Sequence, residues 1–119
     1  SSKKIKKTKY KMIESKNYDV FCYVNKRRQI ALTKKNNLGF LNQFSLPEIR
    51  EAKNNSRTRD WKFLKKYKNS ISNKKLNINL YYKFSNKIPP SFIWHSMEKN
   101  KEFIPTFTKK IFRQVSTLF

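Results

Sequence analysis

The cleanest hydrophobic pattern in the chain is the alternation over residues 76–84, LNINLYYKF. Leu76, Ile78, Leu80, Tyr82 and Phe84 fall on one side, and Asn77, Asn79, Tyr81 and Lys83 on the other. A period of two predicts a strand with one buried face. Two short apolar runs, Val20–Val24 and Ile30–Leu32, flank Asn25, Lys26, Arg27 and Arg28. They predict a hairpin with a basic tip; a helix through 18–33 is the alternative. Residues 34–44 read as a loop around Gly39, the only glycine.

Elsewhere the pattern favours helices. Ser45-Leu46-Pro47-Glu48 has the form of a capping box, in which Ser45 and Glu48 each satisfy the other's backbone N–H. It predicts a short helix from about Leu46 to Lys53. Trp61, Leu64 and Ile71 recur at helical spacing with Tyr67 beside them, predicting a helix over 57–72 with Asp60 in its first turn. Residues 91–103 read as a helix capped by Ser91 and stopped at Ile104-Pro105. Residues 106–119 read as a last helix with Phe107, Ile111, Val115 and Leu118 or Phe119 as its apolar stripe. Together these predict a small α+β domain, a hairpin or strand element packed by two to four short helices. Residues 1–11 form a basic extension and 12–119 a single domain, with no internal repeat or linker.

Charge then dominates the picture. The 119 residues carry 29 Lys and Arg against 7 Asp and Glu, a formal net charge of +22. Such self-repulsion opposes compaction, so a polyanionic partner is expected. The mean hydropathy of −0.87 implies a modest core. The aromatic share of 15% nevertheless separates the chain from a disordered basic tail. Lys outnumbers Arg, Asn, Ile and Phe are frequent and Gly is scarce, which points to an AT-rich, organellar type of genome. The lone Cys22 makes an intramolecular disulfide impossible. No apolar run is long enough to span a membrane, and the first residues show no signal- or transit-peptide pattern.

No catalytic or metal-binding set is readable. Cys22 and His95 are alone of their kind, and one glycine cannot build a phosphate loop. Cys22 reads as a small buried hydrophobe, and His95 as a packing or phosphate-facing residue. Glu98 and Glu102, with Lys99 and Lys101 nearby, read as surface charge pairing. No enzyme activity, cofactor, metal or small-molecule substrate is expected. What remains is cationic and aromatic chemistry, suited to neutralising phosphates and stacking on bases. The expected nucleic-acid contacts are Lys3, Lys4, Lys6, Lys7, Lys9, Tyr10 and Lys11 in the arm, and Lys26, Arg27 and Arg28 at the hairpin tip. Lys34 and Lys35 follow in the loop, then Arg57, Arg59, Lys62, Lys65, Lys66 and Lys68 in the 57–72 segment, and Lys109, Lys110 and Arg113 in the last helix. Tyr10 is the expected stacking residue. Trp61, Tyr82, Phe84, Phe112 and Phe119 are expected in the core.

In general character the whole chain resembles organellar ribosomal proteins, small basic proteins with a compact part and basic extensions that thread RNA. Arg59-Asp60, Lys65-Lys66-Tyr67, Ile88-Pro89 with Trp94, and Ile104-Pro105 are also loosely similar to the N-terminal half of the bacterial-type small-subunit protein of the fourteenth family. That family's later Thr-Gly-Arg turn and Lys-Lys-x-Ser-Trp ending are absent, and no residue role is carried over. The resemblance implies a structural, rRNA-binding role in a mitochondrial or similar ribosome, beside neighbouring ribosomal proteins. The alternatives are a DNA-binding or packaging protein of an AT-rich organelle or virus, and a peripheral subunit of a mitochondrial membrane complex.

Overall fold

The structure, a computed structural model, describes residues 14–36, 38–52, 59–71, 73–99 and 102–119. The basic arm with Tyr10, and Arg57, lie outside them. Six strands form one mixed sheet: β1 (Glu14–Val24), β2 (Gln29–Leu32), β3 (Glu48–Glu51), β4 (Lys62–Ile71), β5 (Lys74–Phe84) and β6 (Ile93–Ser96). One helix, α1 (Thr106–Ser116), follows. The strand order is β4-β5-β1-β2-β6, with β3 also on β1.

β1 organises the sheet. It runs parallel to β5 in unbroken register from Glu14↔Lys74 to Val24↔Phe84. Its other edge pairs antiparallel with β3 over Tyr18–Phe21 and with β2 at Val24↔Ile30. Phe21, on the face opposite Val20 and Cys22, is buried as well, so residues 20–24 read in sequence as an apolar run rather than an alternation. Val20, Cys22 and Val24 of β1, Leu76, Ile78 and Leu80 of β5, and Ile30 and Leu32 of β2 are fully buried on one face. They form a single cluster with Ile104, Phe107, Ile111, Phe112 and Val115. α1 therefore covers this face, and the buried Thr108 hydroxyl ties it down by donating to the Ser45 carbonyl (2.8 Å).

The expected strand at 76–84, the basic-tipped hairpin and the last helix are present. The α+β expectation with two to four helices is overturned, since the described residues form six strands and one short helix. The capping box at Ser45 starts no helix. The Leu46 N–H and C=O exchange hydrogen bonds with Thr33 (3.0 and 2.7 Å), and residues 48–51 pair with β1. Glu48 holds Arg50 at 2.8 Å instead of reaching back to Ser45.

The 57–72 helix is β4. A bulge between Phe63 and Lys65 places Leu64 as an extra residue against β5. A bulge shifts the phase of a strand by one residue. It puts Phe63 beside Tyr81 and Tyr67 beside Ile78, on opposite faces, and so hides the period of two. The 91–103 helix is the four-residue β6, whose Ile93–Ser96 pair with β2. Of the expected core aromatics, Phe112 is buried and Tyr82 packs against the cluster. Phe84 and Phe119 instead stay 48% and 39% exposed, with ring centroids 5.8 Å apart. Trp61 lies against Phe21 and Tyr23, outside the main cluster.

Candidate nucleic-acid interface

The face of β1 and β5 opposite α1 carries Asn17, Asp19, Phe21 and Tyr23 beside Asn77, Asn79, Tyr81 and Lys83. No described helix or strand packs over it. Six rings gather there. Phe21 stacks with Tyr81 (5.5 Å, 17°) and meets Trp61 at 5.0 Å. Tyr23 meets Trp61 at 4.9 Å and Phe92 at 6.0 Å, while Phe63 lies edge-on to Tyr81 at 5.6 Å. The arrangement follows from register. Phe21↔Tyr81 is a β1–β5 pair and Phe63↔Tyr81 a β4–β5 pair, so the three rings line up across the sheet. Phe63 is 56% exposed, a large apolar ring held in solvent.

Cations surround the rings. The Arg50 guanidinium lies 5.4 Å from the Phe21 centroid, and the Lys83 ammonium 5.6 Å from that of Trp61. Lys66 and Lys68 of β4 pair in register with Asn79 and Asn77 and so belong to the same face. Two carboxylates share it. Asp19 is buried and accepts from the Asn79 side chain (3.1 Å), and Glu48 is held by Arg50. Burial, with Glu48 adding to it against the opposing pull of Arg50, holds the Tyr23 phenol above its ordinary pKa, so it stays a neutral donor.

Sequence comparison adds no relatives: no family model matches the chain, and no curated protein matches it.

The other expected contact residues divide by location. Lys26 and Arg27 are exposed at the hairpin tip, where the Asn25 side chain accepts from the Arg27 and Gln29 N–H groups (2.9 and 3.2 Å). Arg28, at φ 58°, is already paired with Glu98 (2.8 Å) and lies over Phe119. Lys34 stands 3.9 Å from Glu102, and Lys35 and Arg59 are exposed. Glu98 and Glu102 thus pair across the fold with Arg28 and Lys34. Lys62 and Lys65 pair in register with Tyr82 and Leu80, on the α1 side of edge strand β4. Lys109, Lys110 and Arg113 are exposed on α1, where Lys110 donates to Asn69 (3.0 Å).

Sequence reasoning missed Tyr23, Phe63, Tyr81 and Phe92 as partly or fully exposed rings around the buried Phe21, and Arg50 and Lys83 as cations beside them. One cue was present: Tyr81 sits among Asn77, Asn79 and Lys83 on the polar side of the clearest alternation. Nucleophilic chemistry finds no support in the two candidate side chains. Burial drives the Cys22 thiol far above its ordinary pKa, and a thiol without thiolate is inert. His95 is half-buried, and desolvation holds its pKa down. Among the described residues no three His, Cys, Asp or Glu side chains cluster as metal ligands.

Proposed function

We propose that the protein is a structural nucleic-acid-binding component that takes unpaired bases on its open sheet face. The observation that carries this reading is the aromatic platform of Phe63 and Tyr81, backed by the buried Phe21 and bordered by Lys66, Lys68, Lys83 and Arg50. Bases of any sequence stack on such rings, while lysines neutralise the strand. Binding, not catalysis, is the role this surface suits.

The composition favours ribosomal RNA of an AT-rich organelle, such as a mitochondrion, as the polymer, and neighbouring ribosomal proteins as further contacts. In that setting the net charge of +22 is matched by phosphates of surrounding RNA. A second reading, binding to an opened or unpaired strand of organellar or viral DNA, draws on the same rings, since stacking does not depend on the sugar. The membrane-complex reading needs an apolar helix face to meet lipid. α1 has instead turned Phe107, Ile111, Phe112 and Val115 into the core, and no described helix is long and apolar enough to cross a membrane.

The test is competition binding with unpaired RNA, duplex RNA, unpaired DNA and duplex DNA at several salt concentrations. Unpaired strands are expected to compete best, and native lysate sedimentation to place the protein with ribosomal subunits. Preference for duplex DNA, with unpaired strands failing to compete, would overturn the proposal.

A further inference from the structure

We infer that a cleft at the hairpin tip is a second, separate site, which takes one unpaired nucleotide of the strand held by the open face. The inference rests on the nucleic-acid reading above and names where the strand continues.

The cleft has a volume of 780 Å³ and lies between the β1–β2 tip and the chain leaving β5. That volume falls within the roughly 300–1,000 Å³ typical of small-ligand sites. Trp94 and Phe84 supply its aromatic walls, and Lys26 and Arg27 its cations. Among the lining residues none is acidic. Each wall is fixed from outside. Trp94 is held by the β6 pairing with Ala31 on β2. Phe84 is braced by Tyr82 and Phe119. The Ser85 N–H donates to the Val24 carbonyl (2.9 Å), which keeps the end of β5 against the tip.

The tip itself is set before any ligand arrives. Asn25 accepts from two backbone N–H groups, and its amide donates to Gln29 Oε1 (2.9 Å). This bond uses the oxygen of the Gln29 amide, so what Gln29, as a lining residue, offers a ligand is the donor Nε2. Arg28 is the tip cation drawn away, by Glu98. Lys26 and Arg27 have no ion-pair partner among the described residues. The division suits a nucleotide: a ring to stack on, amides for the base edge, and a guanidinium and an ammonium for the flanking phosphates.

The two tryptophans of the chain report on the two sites separately, Trp61 in the open face and Trp94 in the cleft. In the full-length Trp61→Phe protein, Trp94 emission is followed while a labelled short oligouridylate binds, read in parallel by anisotropy. An abasic ribose-phosphate strand of equal length serves as the control. Oligouridylate is expected to quench Trp94, and the abasic strand to bind without quenching. Trp94→Leu is expected to weaken oligouridylate by about tenfold, as for loss of one stacked base, and Trp94→Phe to restore most of it. Binding that leaves Trp94 emission unchanged, with Trp94→Leu as tight as its parent, would overturn the cleft while leaving the open face intact. If neither strand binds at low salt, the reading beneath it fails as well.

Discussion

The two faces of β1 and β5 are built from alternate residues of the same strands, yet they carry opposite chemistry. On the α1 side, Val20, Cys22, Leu76, Ile78 and Leu80 have no measurable contact with solvent or nearly none. One residue along, Tyr23, Asn77, Asn79, Tyr81 and Lys83 make a surface of rings, amides and cations around the buried Phe21. Stability is concentrated on the first face, and the groups suited to a ligand on the second. A sheet can divide its labour this way because side chains one residue apart never share an environment.

The largest expected effect breaks the covered face. Ile78→Ala removes a fully buried side chain between β1 and β4, and such truncations cost about 2–5 kcal/mol. Urea unfolding should register that loss, while affinity per folded molecule stays within twofold. Phe63→Ala is the mirror experiment. Its ring is 56% exposed, so the unfolding midpoint should move little, whereas loss of one stacking ring should weaken unpaired-strand binding by about 1–3 kcal/mol. If Phe63→Ala cost more stability than Ile78→Ala, the division between faces would be wrong.

A smaller effect of opposite sign belongs to Tyr67. Its hydroxyl oxygen is buried on the covered face without a hydrogen-bond partner among the described residues, and burial drives its phenol pKa far upward. A buried, unpaired hydroxyl costs about 1–3 kcal/mol, so Tyr67→Phe should leave stability unchanged or raise it by about 1 kcal/mol. A clear loss of stability on urea unfolding would mean that the hydroxyl has a partner after all.

The charges sharpen the same contrast more finely. Lys66 and Lys68 belong to the open face and Lys109 to the outer side of α1. Replacing Lys66 or Lys68 by Ala should each lower the salt dependence of single-strand binding by about 0.7 in the log–log slope. Lys109→Ala should leave the slope unchanged. Equal slopes for all three would mean that the strand wraps the whole molecule rather than one face.

What was legible in the sequence follows this division closely. β5 was readable because one of its sides is fully apolar, and α1 because Phe107, Ile111 and Val115 keep helical spacing. β4 was not, because a bulge at Leu64 sends Trp61 and Phe63 to one face and Tyr67 to the other, imitating a helical repeat. β3 was hidden by a local motif: Ser45 and Glu48 satisfy a capping pattern, but pairing of Leu46 with Thr33 and of Ile49 with Val20 decides the backbone. The platform escaped for a related reason. Trp61 looks like a core aromatic until the pairing of the strands beside it fixes which face it occupies, and pairing is non-local. The surplus of cations was plain from the composition, but not which of them stand beside rings and which, like Arg28 and Lys34, are held by carboxylates.

The smallest expected effect lies at the far edge of the sheet. His95 pairs with Ile30, is half-buried, and has its pKa lowered chiefly by desolvation. Lys34 adds to that lowering and Glu102 opposes it. The unfolded chain, with an ordinary histidine pKa near 6.5, therefore takes up a proton before the folded one does. Where the unfolded state binds more protons, stability rises with pH. The folded protein should thus hold its full His95 contribution above about pH 7 and lose part of it as pH falls through 6.5. The urea midpoint, compared at neutral pH and at mildly acidic pH above the carboxylate range, should drop slightly. Because His95 is the only histidine of the chain, His95→Asn should flatten that slope. A midpoint that rises on acidification, or a slope that persists in His95→Asn, would place the proton-sensitive group elsewhere.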